Sequence, residues 1–304
     1  MSDRERERNG IGYGLAAYGL WGAVPLFWPL VARAGSLELL AHRVVWSLVI
    51  SVVLALLLLP KGWYGRIATR RTLLMLGLAA AVVSVNWGVY IWAVNHGHVV
   101  ETSLGYYINP ILSILVGVVV LGERMAPLQW ASVGLAFLAV VVLTVEYGRL
   151  PWISLVLAAS FATYGVMKKQ VNGGAVETLT IESALLTPVA LGYLVYLQTQ
   201  GGSTFATLGW VHSLLLVATG VVTVVPLLFF AASATRLPLS TLGLLQYLAP
   251  TLQFLLGILY FHEDMSTGRW VGFGLVWLAL MIMSGHGLHR ANLSRRARLV
   301  AEPI

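Results

Sequence analysis

Apolar residues fill this chain in runs of about twenty, separated by short stretches of charge, glycine and proline. One such run makes a helix long enough to cross a hydrocarbon core roughly 30 Å thick. Ten runs can be read, at 11–32, 38–59, 72–94, 101–121, 128–146, 151–169, 178–198, 208–232, 240–261 and 268–287. The pattern therefore predicts an all-α integral membrane protein with ten transmembrane helices. The first run follows Arg4, Arg6 and Arg8 but holds Pro25 and Pro29. It is also longer than the roughly 7–15 apolar residues of a cleaved leader, so it is read as a span.

The polar punctuation repeats as well. Tyr107, Pro110, Gly117, Glu123, Met125, Trp130 and Gly134 recur without a gap as Tyr247, Pro250, Gly257, Glu263, Met265, Trp270 and Gly274, at an offset of 140 residues. Trp21 against Phe161 and Leu39 against Leu179 extend the match more weakly. Self-similarity at a fixed period marks two copies of one unit. Ten spans in two copies give five helices each, and an odd number forces the second copy to enter the bilayer from the opposite side. The expected organisation is a cytoplasmic tail (1–10), a first five-helix unit (11–147), an inverted second unit (148–288) and a basic cytoplasmic tail (289–304).

Charge orients this arrangement. Placing the N-terminus inside puts 15 of the 19 Lys and Arg residues on the inner side and only Arg33, Arg149 and Arg269 outside, with Arg43 within a span. That asymmetry predicts a multi-pass protein with both termini in the cytoplasm. The composition, 58% hydrophobic and 10% charged, agrees. The net charge of +7 does not suggest a nucleic-acid partner, because the basic residues are scattered between apolar spans. With no cysteine, disulfides and thiolate metal sites are excluded. Phosphate-binding loops, dinucleotide fingerprints and hydrolase signatures are also missing, so neither cofactor nor metal is expected, and no enzyme activity.

Ionisable groups inside spans are costly and mark functional candidates. His42 and Arg43 lie a few residues into the second span, and Glu182 occupies the equivalent place in the seventh. Inversion puts the first two toward the outer side and Glu182 toward the inner side of the midplane, as parts of two gates rather than one ion pair. Glu182 or His42 is the candidate for proton coupling; Arg43 is an intramembrane charge read equally as structural or as an anion-binding group. Asn86 and Tyr90 share a helix face with Trp87 nearby, which suits solute contact or an interhelical amide bond. Tyr106 and Asn109 precede Pro110, and Gln246 and Tyr247 precede Pro250. Each proline frees a carbonyl one turn back, and paired helix breaks in two halves point to a transport site. Lys168 and Lys169 read as inner-face anchors, and Glu123 and Glu263 as cap or loop charges.

Taken together, Glu38 with His42-Arg43 and Trp46-Ser47, Asn86-Trp87 with Tyr90, Ser103-Leu104-Gly105-Tyr106-Tyr107-Ile108-Asn109-Pro110, Ser160-Phe161 with Tyr164 and Lys168, and Gln246-Tyr247 with Pro250-Thr251 resemble the drug/metabolite transporter superfamily, EamA-type, in its RarD group. The resemblance covers nearly the whole chain. It implies ten helices, a permease activity and an inner-membrane location. The expectation is a transporter that moves a small organic solute by alternating access, with protons as coupling ion. Solute contacts would fall to Asn86, Tyr90, Tyr106, Asn109, Gln246 and Tyr247, and Pro110 and Pro250 would act as gating kinks. The alternatives are an uncoupled facilitator and an integral-membrane enzyme.

Overall fold

The computed structural model describes the backbone of residues 3–121 and 126–301. Side chains at 3, 4, 114, 117–121, 169, 239, 240 and 286–301 lie outside the description, as do Glu123 and Arg124. The regular elements among the described residues are all helices, with no strand. The helices are α1 (Asp3–Ala23), α2 (Gly35–Leu58), the short α3 (Trp63–Ile67), α4 (Arg70–Asn95), α5 (Val99–Leu121), α6 (Pro127–Tyr147), α7 (Trp152–Lys169), α8 (Ala175–Thr199), α9 (Trp210–Ala234), α10 (Leu239–Leu245), α11 (Leu248–Leu259) and α12 (Thr267–Ala301).

Their ends follow local chemistry. Thr69 accepts the Thr72 N–H at the start of α4 (3.2 Å), and the Gln129 amide oxygen accepts the Ala126 N–H ahead of Pro127 at the start of α6 (2.8 Å). Gly148 ends α6 at φ 63°, a conformation that costs glycine nothing. The first predicted span departs from a continuous helix. After Ala23 the chain passes into two 3-10 segments, Val24–Leu26 and Trp28–Ala34. Pro25 and Pro29 remove the N–H donors that an α-helix would need there. Residues 3–10, expected as a tail, are instead the first turns of α1, and Ser233 donates to the Gly10 carbonyl (2.8 Å). The backbone of α12 likewise continues through the predicted C-terminal tail to Ala301.

Seven helical segments among the described residues are long and apolar enough to cross a membrane: Trp28–Leu58, Arg70–Asn95, Pro127–Tyr147, Ala175–Thr199, Trp210–Ala234, Thr241–Leu259 and Thr267–Gly285. The other three predicted spans fall on α1, whose first turns are charged, on α5, and on the shorter α7. Large apolar side chains point outward over the whole bundle; Leu56, Val145, Val189 and Trp210 are each at least 74% exposed. A water-soluble protein does not present such a surface, and a lipid bilayer covers it. The chain is a multi-pass membrane protein.

In the bundle, α2 packs on α8 and α9, α4 on α7 and α8, α1 on α9 and α11, α5 on α7 and α11, and α6 on α12. Helices α2, α4, α5 and α6 start at 35, 70, 99 and 127, while α8, α9, α10 and α12 start at 175, 210, 239 and 267. Each start in the second set lies 140 residues after its counterpart.

The two prolines behave differently. α5 runs unbroken through Pro110. The equivalent helix divides into α10 and α11 at Gln246-Tyr247. There the Tyr247 N–H turns to the Leu244 carbonyl (3.2 Å), a tighter 3-10 contact. Pro250, lacking an N–H, cannot reach back to the Gln246 carbonyl.

Candidate functional site

A group of buried polar side chains lies where α2 meets α4 and the 3-10 segment before α2, with Tyr106 of α5 against Tyr90. Arg43 is 8% exposed, and its guanidinium carbon sits 3.9 Å from the centre of the Trp87 ring and 5.5 Å from that of Trp28. Tyr90, 4% exposed, crosses Tyr106 edge-on at 5.7 Å between ring centres. Asn86 is fully buried and ties three helices together. Its amide nitrogen donates to the Leu157 carbonyl (2.9 Å) and the Ser160 hydroxyl (3.0 Å), and its oxygen accepts from the Tyr106 hydroxyl (3.2 Å). The interhelical role of Asn86 therefore uses both ends of the amide, leaving Tyr90 as the member of that pair whose hydroxyl has no hydrogen-bond partner.

Toward the start of α2, His42 stacks on Phe205 at 5.0 Å and lies 4.0 Å from the Glu38 carboxylate. Glu38 accepts the Thr204 N–H (2.7 Å), and Thr204 in turn meets His212 (2.9 Å). The connection between α8 and α9 is thus folded over α2, with Ala206 held at φ 62° beside Phe205.

Glu182 occupies a separate centre. It accepts from Lys168 (2.8 Å) and from the Tyr164 hydroxyl (3.2 Å), and Lys168 also donates to Thr178 (2.6 Å). Lys168, expected as an inner-face anchor, instead turns inward along α7 to this carboxylate. A carboxylate buried on α8 needs a counter-charge, and the flexible lysine stem reaches it. No hydrogen bond or ion pair among the described residues joins Glu182 to His42 or Arg43.

The remaining candidates lie apart from Asn86, Tyr90 and Tyr106. Asn109 accepts from Ser113 (3.4 Å). Tyr247 meets Ser284 (3.5 Å), and Tyr247 packs with Tyr107, Phe254 and Phe273 in the other large core cluster. Gln246, at the α10–α11 break, is half-buried. Tyr107 bridges to Thr251 across α5 and α11 (2.7 Å).

Glu263 is a cap, though for a distant helix: its carboxylate accepts the N–H groups of Val99 and Val100 at the start of α5, the latter at 3.0 Å. It lines a cavity of about 490 Å³ with His98, Glu101, Arg149, Asp264 and Arg269. Arg149 pairs with Glu101 there at 2.8 Å. Burial pushes the Glu263 carboxyl up to about 7, against the pull of its two N–H donors. Burial pushes His98 down. Among the described residues no group of His, Asp and Glu could hold a metal ion.

Sequence reasoning missed Phe205, Thr204 and His212. They sit in and beside a polar connection, where periodicity carries no signal. Trp28 was also missed, because the 3-10 geometry that turns it inward is not a helical pattern.

This is the architecture of a membrane transporter, and the comparisons with known proteins agree. The profile of the EamA-like transporter family matches twice, over residues 8–145 and 150–285. The chain is 57% identical over 303 residues to "Protein RarD" of Streptomyces exfoliatus, covering 99% of this chain and 96% of that one. It is 41% identical over 281 residues to "Protein RarD" of Escherichia coli (strain K12), covering 92% and 95%. An "Uncharacterized transporter" of Vibrio cholerae is 40% identical over 299 residues, covering 97% and 98%. A solved crystal structure with 18% identity shares the fold at a TM-score of 0.57, covering 91% of this chain and 97% of its own. The chain belongs to the EamA-like transporter family of the drug/metabolite transporter superfamily, in its RarD group.

Proposed function

We propose that the protein is a secondary transporter that carries a small organic solute outward across the cytoplasmic membrane by alternating access, coupled to protons, with both termini cytoplasmic. The observation that carries this reading is the agreement of helix starts at an offset of 140 residues in four helix pairs, α2 with α8, α4 with α9, α5 with α10 and α6 with α12. The packing supports it too. Exchanging each helix with its counterpart turns the α1–α9 contact into α7–α4, the α2–α9 contact into α8–α4, and the α5–α7 contact into α11–α1, all of which occur. Two inverted five-helix units exchanged in this way can rock about a shared centre, which is how inverted-repeat carriers alternate access.

For coupling, Glu182 is the favoured group: on protonation it would release Lys168, loosening α7 from α8. A second reading, an uncoupled facilitator, is favoured by the same ion pair, since a lysine at 2.8 Å gives the buried carboxylate a structural partner within the bundle.

The test begins with a thermal-shift screen across amino acids, nucleosides, sugars and antibiotics, because a solute bound to the folded state stabilises it. Hits are then followed in proteoliposomes. Accumulation of a hit that collapses with a protonophore, and that Glu182→Gln abolishes while counterflow persists, supports coupled transport. Uptake that stops at equal concentrations on the two sides and is unaffected by either treatment leaves the facilitator.

A further inference from the structure

The mechanism proposed above leaves Arg43 unused, and its surroundings are unusual. A guanidinium buried at this depth is expensive unless it is paired, and its ordinary partner is a carboxylate. Among the described residues Arg43 has no ion pair, and its Nε is buried without an acceptor. Trp87 and Trp28 stack on the planar cation, which offsets part of the cost while leaving the N–H edge uncommitted.

Several neighbouring donors are in the same condition. The hydroxyl of Tyr90, the indole N–H of Trp28, the indole N–H of Trp46 and the hydroxyl of Ser47 are all buried without a partner. Trp46 and Ser47 lie three and four residues beyond Arg43, on the same face of α2. The carboxylates that could have neutralised Arg43 are otherwise engaged: Glu38 with Thr204, Glu101 with Arg149 and Glu182 with Lys168. A cluster of unpartnered indole and guanidinium N–H groups and hydroxyls around one fixed positive charge fits a ligand with acceptor oxygens and one negative charge.

We infer that Arg43, its guanidinium bracketed by the indoles of Trp28 and Trp87 and with Tyr90 one turn along α4 from Trp87, binds the carboxylate of the transported solute. The solute class is a small monocarboxylate with an apolar body. One guanidinium matches one carboxylate, whereas a phosphate dianion would want a second cation, and Lys168 and Arg149 are already paired with Glu182 and Glu101. The inference deepens the carrier reading and rests on it for the word "transported"; the binding site itself does not.

The experiment uses the purified full-length protein, titrated with benzoate, with neutral benzamide and with inorganic phosphate while thermal unfolding is followed. Benzoate should raise the wild-type melting temperature in a saturable manner and benzamide should not. Arg43→Met should weaken benzoate at least about tenfold, as loss of a charged hydrogen-bonding partner does. Its own unliganded melting temperature should be no lower than that of the wild type, since exchanging an unpaired buried charge for an apolar chain of similar volume is neutral or stabilising. Tyr90→Phe should weaken benzoate about three- to tenfold without altering the fold, and it carries the test if Arg43→Met does not fold.

The inference is overturned if benzoate gives no shift, if benzamide or phosphate matches or exceeds it, or if the variants respond as wild type does. Proteoliposomes separate the two levels. Transport of a neutral solute alone keeps the carrier and removes the carboxylate site. Arg43-dependent benzoate binding with no solute crossing keeps the site and removes the carrier.

Discussion

Glu263, in the connection before α12, holds the N-terminus of α5 by accepting the Val100 N–H at 3.0 Å, so a residue of the second half closes over a helix of the first. The first N–H groups of a helix have no partner within it, and a carboxylate there both accepts their bonds and meets the positive end of the dipole. Glu263→Ala should cost about 1 kcal/mol, the usual loss for a removed cap. Glu263→Gln, which keeps an acceptor oxygen, should cost less. Amide exchange at Val99 and Val100 reads the effect locally: both should exchange faster in the alanine variant, and unchanged protection there would contradict the role.

The same carboxyl gives a pH dependence whose sign can be worked out. Its ordinary value is 4.5, and in the folded protein burial raises it to about 7. Between these values the folded state keeps a proton that the unfolded chain has released. The stability linked to Glu263 is therefore fully present below about 4.5 and is lost as pH rises through about 7. His98, pushed down by burial beside it, acts in the opposite sense, so the raw profile mixes the two. The comparison with Glu263→Gln isolates the carboxyl. Between about pH 5 and 7.5 the wild type should lose more melting temperature than the variant, and parallel curves would count against the assignment.

Lys168 and Glu182 join α7 to α8 through an ion pair whose side chains are 25% and 4% exposed. Removing the cation alone strands a buried charge, which costs about 3–5 kcal/mol in a fully dry pair. The partial exposure of Lys168 reduces this to about 1–3 kcal/mol for Lys168→Met. The double variant Lys168→Met with Glu182→Gln should recover much of that loss. Denaturation of the four members of the cycle measures the coupling, and simple additivity of the two single costs would mean that the contact contributes nothing.

The positions of the helices were legible because lipid imposes one strict demand, a run of apolar residues long enough to cross it. Helix bounds deviate mainly at Pro25 and Pro29, where missing N–H donors convert a predicted span into 3-10 turns. The 140-residue offset was plain around Tyr107 and Tyr247 and faint in the first helices, where lipid-facing positions accept any apolar residue and identity drifts; the starts of α2 and α4 nevertheless keep the offset to those of α8 and α9, while α1 and α7 do not. The candidate site was only partly legible. Asn86 and Tyr90 share a face as their spacing required, yet which of them is satisfied depended on Leu157 and Ser160 of α7, which no local pattern names. Likewise the inward turn of Lys168 depends on a carboxylate 14 residues further along the chain.

The crossing of α2 and α9 rests on a glycine. A Cβ built at Gly220 would lie 2.6 Å from the carbonyl carbon and 2.7 Å from the carbonyl oxygen of Trp46, so the two backbones meet where no side chain fits. Trp46 is backbone here and cannot give way as the end of a flexible side chain would, so Gly220→Ala must push α9 off α2. Overpacking of this kind costs about 1–3 kcal/mol. Gly19 in α1 provides the control, since a Cβ there meets nothing within 4 Å. Gly19→Ala should be neutral or stabilising by about 0.5–1 kcal/mol, because alanine loses less conformational freedom in a helix. Because Arg43 lies one turn before Trp46 on the same helix, the displaced α2 should also carry its guanidinium away from Trp87. Quenching or wavelength of the Trp87 fluorescence, recorded in a variant retaining that indole alone, should therefore change with Gly220→Ala and stay constant with Gly19→Ala. An unchanged signal in both would mean that α9 absorbs the whole displacement.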